Sequence, residues 1–157
     1  KIYLAGGLFS AGEQVHNLLL EQHLKKLGYE IIVPQREAWK YHDGERFDLL
    51  AVAEECRKYA ADEDFVYVGN ADGSDADSGT AVEYGIAIAT KRSGVVYRTD
   101  FRTTSENGSG VNIMLQLVGS VLVRFPANLK ELHEIPMYYR ALAQEIHKAI
   151  MATIVAK

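Results

Sequence analysis

Short apolar bursts alternate along the chain with longer amphipathic stretches, and that rhythm predicts strands alternating with helices. Lys1 to Ala5 reads as the first strand, and Gly6-Gly7-Leu8-Phe9-Ser10 as the loop after it. From about Gly12 to Leu27 apolar residues recur at helical spacing, with Val15, Leu18, Leu19 and Leu27 on one side and Gly28 as the stop. Tyr29 to Val33 is a second strand closed by Pro34, followed by a polar loop, Gln35 to Gly44, that carries Arg36, Trp39 and His42. A second helix is expected over Glu45 to Ala61 and a third strand over Phe65 to Val68. A polar stretch rich in Asp then leads into an almost wholly apolar helix, Ala81 to about Lys91. Gly94 to Tyr97 is the fourth strand, Thr99 to Gly110 a polar loop, and Val111 to Leu117 a short helix. Val121 to Phe125 and Pro136 to Val155 close the chain as a fifth strand and a last helix.

Strands alternating with helices imply right-handed crossovers and a parallel sheet covered on both faces. Five such strands predict a flavodoxin-like, doubly wound α/β fold. In that order strand one neighbours strand three, and ligands bind there, beyond the carboxyl ends of the strands. The loops Gly6–Ser10 and Asp72–Thr80 would meet at that crevice, with Gln35–Gly44 and Thr99–Gly110 opening on the same edge. A length of 157 residues suits a single domain spanning residues 1–157. The formal charge of −4, with no basic stripe, argues against nucleic acid as partner. The longest basic cluster is Lys91-Arg92. Cys56 is the only cysteine, so a reducing compartment is expected, and no apolar run approaches the length of a membrane span. The first residues read at once as a strand, so no signal peptide is expected, and the missing initiator Met suggests trimming or a fragment; the expected location is the cytoplasm.

The candidate chemistry lies between Asp72 and Ala89. Three Asp, two Gly and three hydroxyl residues precede the apolar helix, and one carboxylate, Glu83, sits inside that helix. A charge there is costly unless it is paired or hydrogen-bonded. Thr80-Ala81-Val82-Glu83 also fits a capping box, in which Glu83 would do no chemistry. The acidic loop before it and Gly85 after it favour a functional carboxylate, which the helix N-terminus is expected to keep ionised. Asp77, six residues before Glu83, is a plausible acid partner, since paired carboxylates can divide into nucleophile and proton donor. Asp72 and Asp75 read equally well as a solvated turn. A calcium loop counted from Asn70 would need Gly and Glu where Asp75 and Ala81 stand, so no metal site is expected. Gly6-Gly7 matches no phosphate-binding pattern and reads as a tight turn with close backbone approach to a ligand. Tyr3 on a buried strand is usually core, and Cys56, lacking a His partner, reads as inert.

Asp72-Gly73 followed by Asp77-Ser78-Gly79-Thr80-Ala81-Val82-Glu83-Tyr84-Gly85 resembles the signature of the nucleoside 2-deoxyribosyltransferase family. Ile2-Tyr3-Leu4-Ala5-Gly6-Gly7-Leu8-Phe9 looks like that family's first strand and loop, and Val111-Asn112-Ile113-Met114 like its Asn-apolar-Met segment. The resemblance implies Glu83 as nucleophile, Asp77 as acid/base facing the nucleobase, and Tyr3 as the residue orienting Glu83. It implies substrate contacts at Gly7, Phe9, Gln35, Asp72, Asn112 and Met114, with Asn112 joined by a neighbouring subunit's residues at the 5′-hydroxyl side of the sugar. The family's usual Asn or Asp on the second helix has no clear counterpart: the count lands on Cys56, beside Glu54 and Glu55. Gln35 is a candidate only for the base-contacting Gln.

The implied reaction moves 2-deoxyribose between nucleobases through a covalent Glu83 intermediate. Its partners are a deoxynucleoside and a free nucleobase, without metal or organic cofactor. Leu8, Phe9 and Trp39 are flat or apolar enough to line a base site. The alternatives are a hydrolase, acting on deoxynucleosides or their 5′-monophosphates, and a nucleoside-binding sensor without chemistry. A phosphate would want basic and hydroxyl groups together; Arg36, Arg98, Arg102, Ser10 and Ser105 are the candidates. Apolar residues of the last helix, Ile146, Ile150, Ile154 and Val155, leave surface to bury, so a homo-oligomer with shared active sites is expected.

Overall fold

A computed structural model describes residues 1–90, 94–103, 108, 110–116 and 120–155. Lys91 and Leu117, where the sequence reading ends two helices, Arg92 of the basic cluster, and Ser105 lie outside these, as do the side chains of Ile154 and Val155. Five parallel strands, β1 (Ile2–Ala5), β2 (Ile31–Ile32), β3 (Val66–Asn70), β4 (Gly94–Arg98) and β5 (Ser120–Arg124), form one sheet in the order β2-β1-β3-β4-β5. The helices are α1 (Ala11–Lys26), α2 (Pro34–Glu37), α3 (Leu49–Ala61), α4 (Ser78–Ala89) and α5 (Ile135–Val155). This is the flavodoxin-like arrangement, with β1 beside β3 at the switch point.

Alternation along β1 divides the core. Ile2 and Leu4 face α1 and α5, packing among Leu20, Leu24, Leu142, Ile146 and Ile150. Tyr3 and Ala5 face the other way, toward Ala60 of α3 and Tyr84 and Ala87 of α4. The period of two in a single strand therefore aims the Tyr3 hydroxyl into the layer that carries Glu83.

Several elements depart from the sequence reading. The face of α1 that is buried runs through Asn17, Leu20, Glu21 and Leu24, whereas Val15 and Leu18 are 53% and 43% exposed. Polar partners make this possible: Asn17 Nδ2 donates to the Gly7 carbonyl, and Glu21 accepts from both terminal nitrogens of Arg36 at 2.7 and 2.8 Å. Ile146 and Ile150 are wholly core, so they offer no surface to a partner. The second long helix begins at Leu49 instead of Glu45, because Asp43 accepts from the Glu45 and Arg46 amides in a turn and Asp48 caps α3 through the Ala51 amide. Part of the expected Gln35–Gly44 loop is helical, with Pro34 opening α2 and a short 3₁₀ turn at Ala38–Tyr41.

The acidic loop after β3 is anchored to the end of β4. Asp72 accepts from the Thr99 amide at 2.6 Å, the Thr99 hydroxyl at 2.5 Å, the Asp100 amide at 2.7 Å and Asn70 Nδ2 at 3.0 Å. Arg98, 1% exposed, donates to the carbonyls of Ala71 and Gly73, fixing the turn at Gly73 with its φ of +101°. Asp72 is thus no solvated turn residue. Removing a carboxylate that holds this many donors orphans them, and Asp72→Ala is expected to cost about 2–4 kcal/mol. Urea unfolding would read this as a lowered midpoint; a change below about 0.5 kcal/mol would assign the loop's order elsewhere.

Candidate active site

Glu83 lies in the second turn of α4, and two features of that helix fix its position. Asp77 is the N-cap, its Oδ2 accepting from the Thr80 amide at 2.9 Å and the Thr80 hydroxyl at 3.1 Å. From beneath, the Tyr67 hydroxyl donates to the Thr80 carbonyl at 2.7 Å. Gly69 makes that reach possible, since a Cβ there would collide with the Tyr67 ring. The capping-box alternative for Glu83 is overturned: Asp77 caps α4, and Glu83 bonds elsewhere.

Glu83 Oε1 accepts from the Tyr3 hydroxyl at 2.8 Å. Cys56, on α3, completes the group: it lines the same cavity as Glu83 and borders the gap beside Tyr3, close enough for its thiol to act on both. Among the described residues no Lys, Arg or His pairs with Glu83. Burial pushes its carboxyl from the ordinary 4.5 up to about 7, opposed by the Tyr3 and Cys56 hydrogen bonds and reinforced by the charge of Asp77. The helix N-terminus does not keep this carboxylate ionised as the sequence suggested. Glu83 stands beyond the first turn, where the dipole's effect fades, and desolvation prevails. Burial and the charge of Glu83 hold the Tyr3 hydroxyl far above its ordinary value, so it remains a donor.

The group opens on a cavity of about 510 Å³. Leu8, Phe9, Pro34, Val52, Val82 and Ile86 give it apolar walls, while Cys56, Arg57, Asp77, Ser78 and Glu83 supply the polar positions. An apolar slot with a few convergent polar groups is the usual form of a small-molecule site. Asp77 is also part of a second, polar cavity of about 530 Å³, lined by Gly7, His16, Asp72, Asp75 and Tyr139 among others. Asp77 is therefore the wall between the two.

The other candidates are spread more widely. Phe9 is on the rim of the Glu83 cavity, 79% exposed. Gly7 and Asp72 line the second cavity and not the Glu83 cavity. The crowding at Gly7 comes from the chain itself, because a Cβ would collide with the Glu13 carboxylate, which caps α1 by accepting from the Phe9 and Ser10 amides. Gln35 bridges α1 and α2, accepting from Asn17 Nδ2 at 3.0 Å, and does not line the Glu83 cavity. Trp39 also lies outside it, packed against His42 and Phe47 at ring distances of 4.8 and 5.0 Å. Asn112 and Met114 sit on an exposed turn, the Asn112 side chain accepting from the Met114 amide, and neither lines either cavity. Sequence reasoning missed Cys56 as a member of the group. Its spacing from the third strand is visible in the sequence, but only the fold brings α3 against Tyr3. No group of three or more His, Cys, Asp or Glu among the described residues is placed to hold a metal ion.

The sequence model of the family described as nucleoside 2-deoxyribosyltransferase matches residues 2–114, which include every member of this group. The chain belongs to that family. No curated protein matches it significantly. Among solved structures, a crystal structure of a conserved protein from Enterococcus faecalis V583 resembles it with a TM-score of 0.65 and 21% identity. The alignment covers 94% of this chain and 96% of that one, a likeness of fold. Nucleoside and nucleobase substrates follow from the family, and no helix among the described residues is long and apolar enough to cross a membrane.

In this deoxyribosyltransferase-family chain the raised carboxyl has a consequence for stability. Folded Glu83 keeps its proton to about pH 7, while the unfolded chain releases it near 4.5. Between those values the folded state binds more protons, so this residue's contribution to stability falls as pH rises. Glu83→Gln cannot ionise, and is expected to gain on the wild type by roughly 1–3 kcal/mol between about pH 4 and pH 8. Denaturant midpoints across that range test it; a difference that stays flat would place the Glu83 carboxyl near its ordinary value.

Proposed function

We propose that the protein transfers 2-deoxyribose between nucleobases through a covalent deoxyribosyl–Glu83 intermediate. The observation that carries this reading is a buried carboxylate with neutral donors, paired with no cation among the described residues and facing a largely apolar cavity. A cation would hold the charge and blunt its nucleophilicity; a hydroxyl and a thiol orient the carboxylate and leave it able to attack. The Glu83 oxygen bonds to the anomeric carbon as the bond from that carbon to the base nitrogen breaks. The electron pair leaves with the base, which takes a proton with help from Asp77. A second base then attacks the same carbon, the ester bond breaks, and Glu83 is released as carboxylate. Two inversions give net retention. Because a 2′-hydroxyl would withdraw electrons from the oxocarbenium-like transition state, deoxy sugars should react faster than ribo sugars.

Transfer requires that the vacated base site exclude water. Leu8, Phe9, Val82 and Ile86 supply apolar walls for that purpose. Asn112 and Met114, exposed and away from Glu83, are free to serve a neighbouring protomer, and a homo-oligomer with shared sites would use them so. The hydrolase acting on 5′-monophosphates finds less support. Arg36 is engaged by Glu21, Arg98 by backbone carbonyls, Arg102 by Asp100, and the Ser10 hydroxyl by the Glu13 amide. None of these four lines the cavity; Arg57 does, and it pairs with Glu54.

A deoxynucleoside supplied with a second, isotopically labelled base should yield labelled deoxynucleoside faster than free sugar accumulates, and the ribonucleoside should lag well behind. Glu83→Gln should fold and lose activity by several orders of magnitude. Free deoxyribose as the main product would favour the hydrolase; binding without either product would favour the sensor.

A further inference from the structure

Resting on the reading of Glu83 as nucleophile, we propose that Cys56 is a positioning residue for it, a neutral thiol that donates to the carboxylate alongside Tyr3. Three observations place it there. Cys56 lines the same cavity as Glu83, so the thiol is at the floor of the site and not behind it. It also borders the small apolar gap beneath, next to Tyr3 and Tyr59, which ties α3 to β1 at this point. The thiol acts on both the Tyr3 hydroxyl and the Glu83 carboxyl, drawing the latter down against its burial.

Proton counting gives the direction of the bonds. Tyr3 has a single hydroxyl proton, and it is directed at Glu83 Oε1 at 2.8 Å. The thiol proton is therefore the second one available to the ionised carboxylate. Burial and the neighbouring charge of Glu83 keep Cys56 in its thiol form, so it has that proton to give. Because a thiol is a weak donor, it steadies the anion without neutralising it. A carboxylate in its place would add a second negative charge beside Glu83 and Asp77, and raise Glu83 further. The half-buried, uncharged thiol makes Cys56 a determinant of the pH at which the nucleophile becomes available.

The Glu83 carboxyl can be followed directly by carbon-13 NMR in protein labelled at glutamate, with Glu83→Gln assigning the signal. Cys56→Ala should raise the Glu83 midpoint by roughly half a pH unit, and Cys56→Ser, which restores a donor of nearly the same size, should bring it back toward wild type. The acid limb of the base-exchange rate should move with it, with kcat falling a few-fold below neutral pH and KM little changed. An unmoved midpoint in both variants would overturn the assignment of Cys56, whatever the activity does. A midpoint that moves while the exchange rate keeps its acid limb would uphold the Cys56 contact and count against Glu83 as the nucleophile. The serine variant also guards against a merely structural role, because loss of packing at Cys56→Ala would lower the melting temperature without shifting a titration.

Discussion

One hydrogen bond organises this molecule: the Tyr3 hydroxyl, projected from β1 at the switch point, donating to a carboxyl and drawing it down against a desolvation that still holds it at about 7. The strand must present Tyr3 on the α3/α4 face, which the alternation of β1 guarantees once Ile2 and Leu4 are committed to the opposite core. The helix must begin where Asp77 and Tyr67 begin it, or Glu83 would rotate away from that hydroxyl. The loop before it must be tied down, which Asp72 and Arg98 accomplish through the end of β4. Each of these is a structural demand, and together they leave the Glu83 carboxylate turned into the apolar cavity with the Tyr3 hydroxyl on it.

The acidic residues of the motif divide their labour by their surroundings. Asp72 spends both oxygens on backbone and side-chain donors of the neighbouring strand end. Asp77 caps a helix while standing between two cavities, so its charge is felt by Glu83 without contact being required. Asp100, held well below the usual carboxylate range by Arg102, belongs to the loop that receives Asp72. Carboxylates that look interchangeable in the sequence are thus separated by which donors the fold brings to them. This separation is what permits a nucleophile and an acid to coexist in one small site on the proposed reading.

The strand order and the crevice at β1 and β3 were legible because short apolar bursts alternating with helices admit few topologies. The Asp77–Glu83 spacing was legible too, since it is local and falls on one helix. Contacts between distant segments were not. Nothing in Cys56 itself announces that α3 will carry it to Tyr3, and a lone thiol in sequence reads as inert. The buried face of α1 was misjudged because Asn17 and Glu21 are buried by partners, the Gly7 carbonyl and Arg36, that periodicity does not count. The burial of Glu83 also outweighs the helix end, a balance that depends on how completely Tyr3, Cys56 and the apolar wall exclude water. The turn around Asn112 stays apart from the cavity in the single chain, so its proposed contribution needs a neighbouring protomer that no sequence pattern could place.

The central claim is a covalent bond at one carboxylate, and rapid quenching tests it most directly. The protein is mixed with a deoxynucleoside and no acceptor base, denatured in acid within milliseconds, and weighed intact and as peptides. The account predicts a mass increase equal to one deoxyribosyl group, localised to Glu83 and removed when a free base is added before quenching. Base exchange proceeding with no adduct, or with an adduct on another residue, would contradict it.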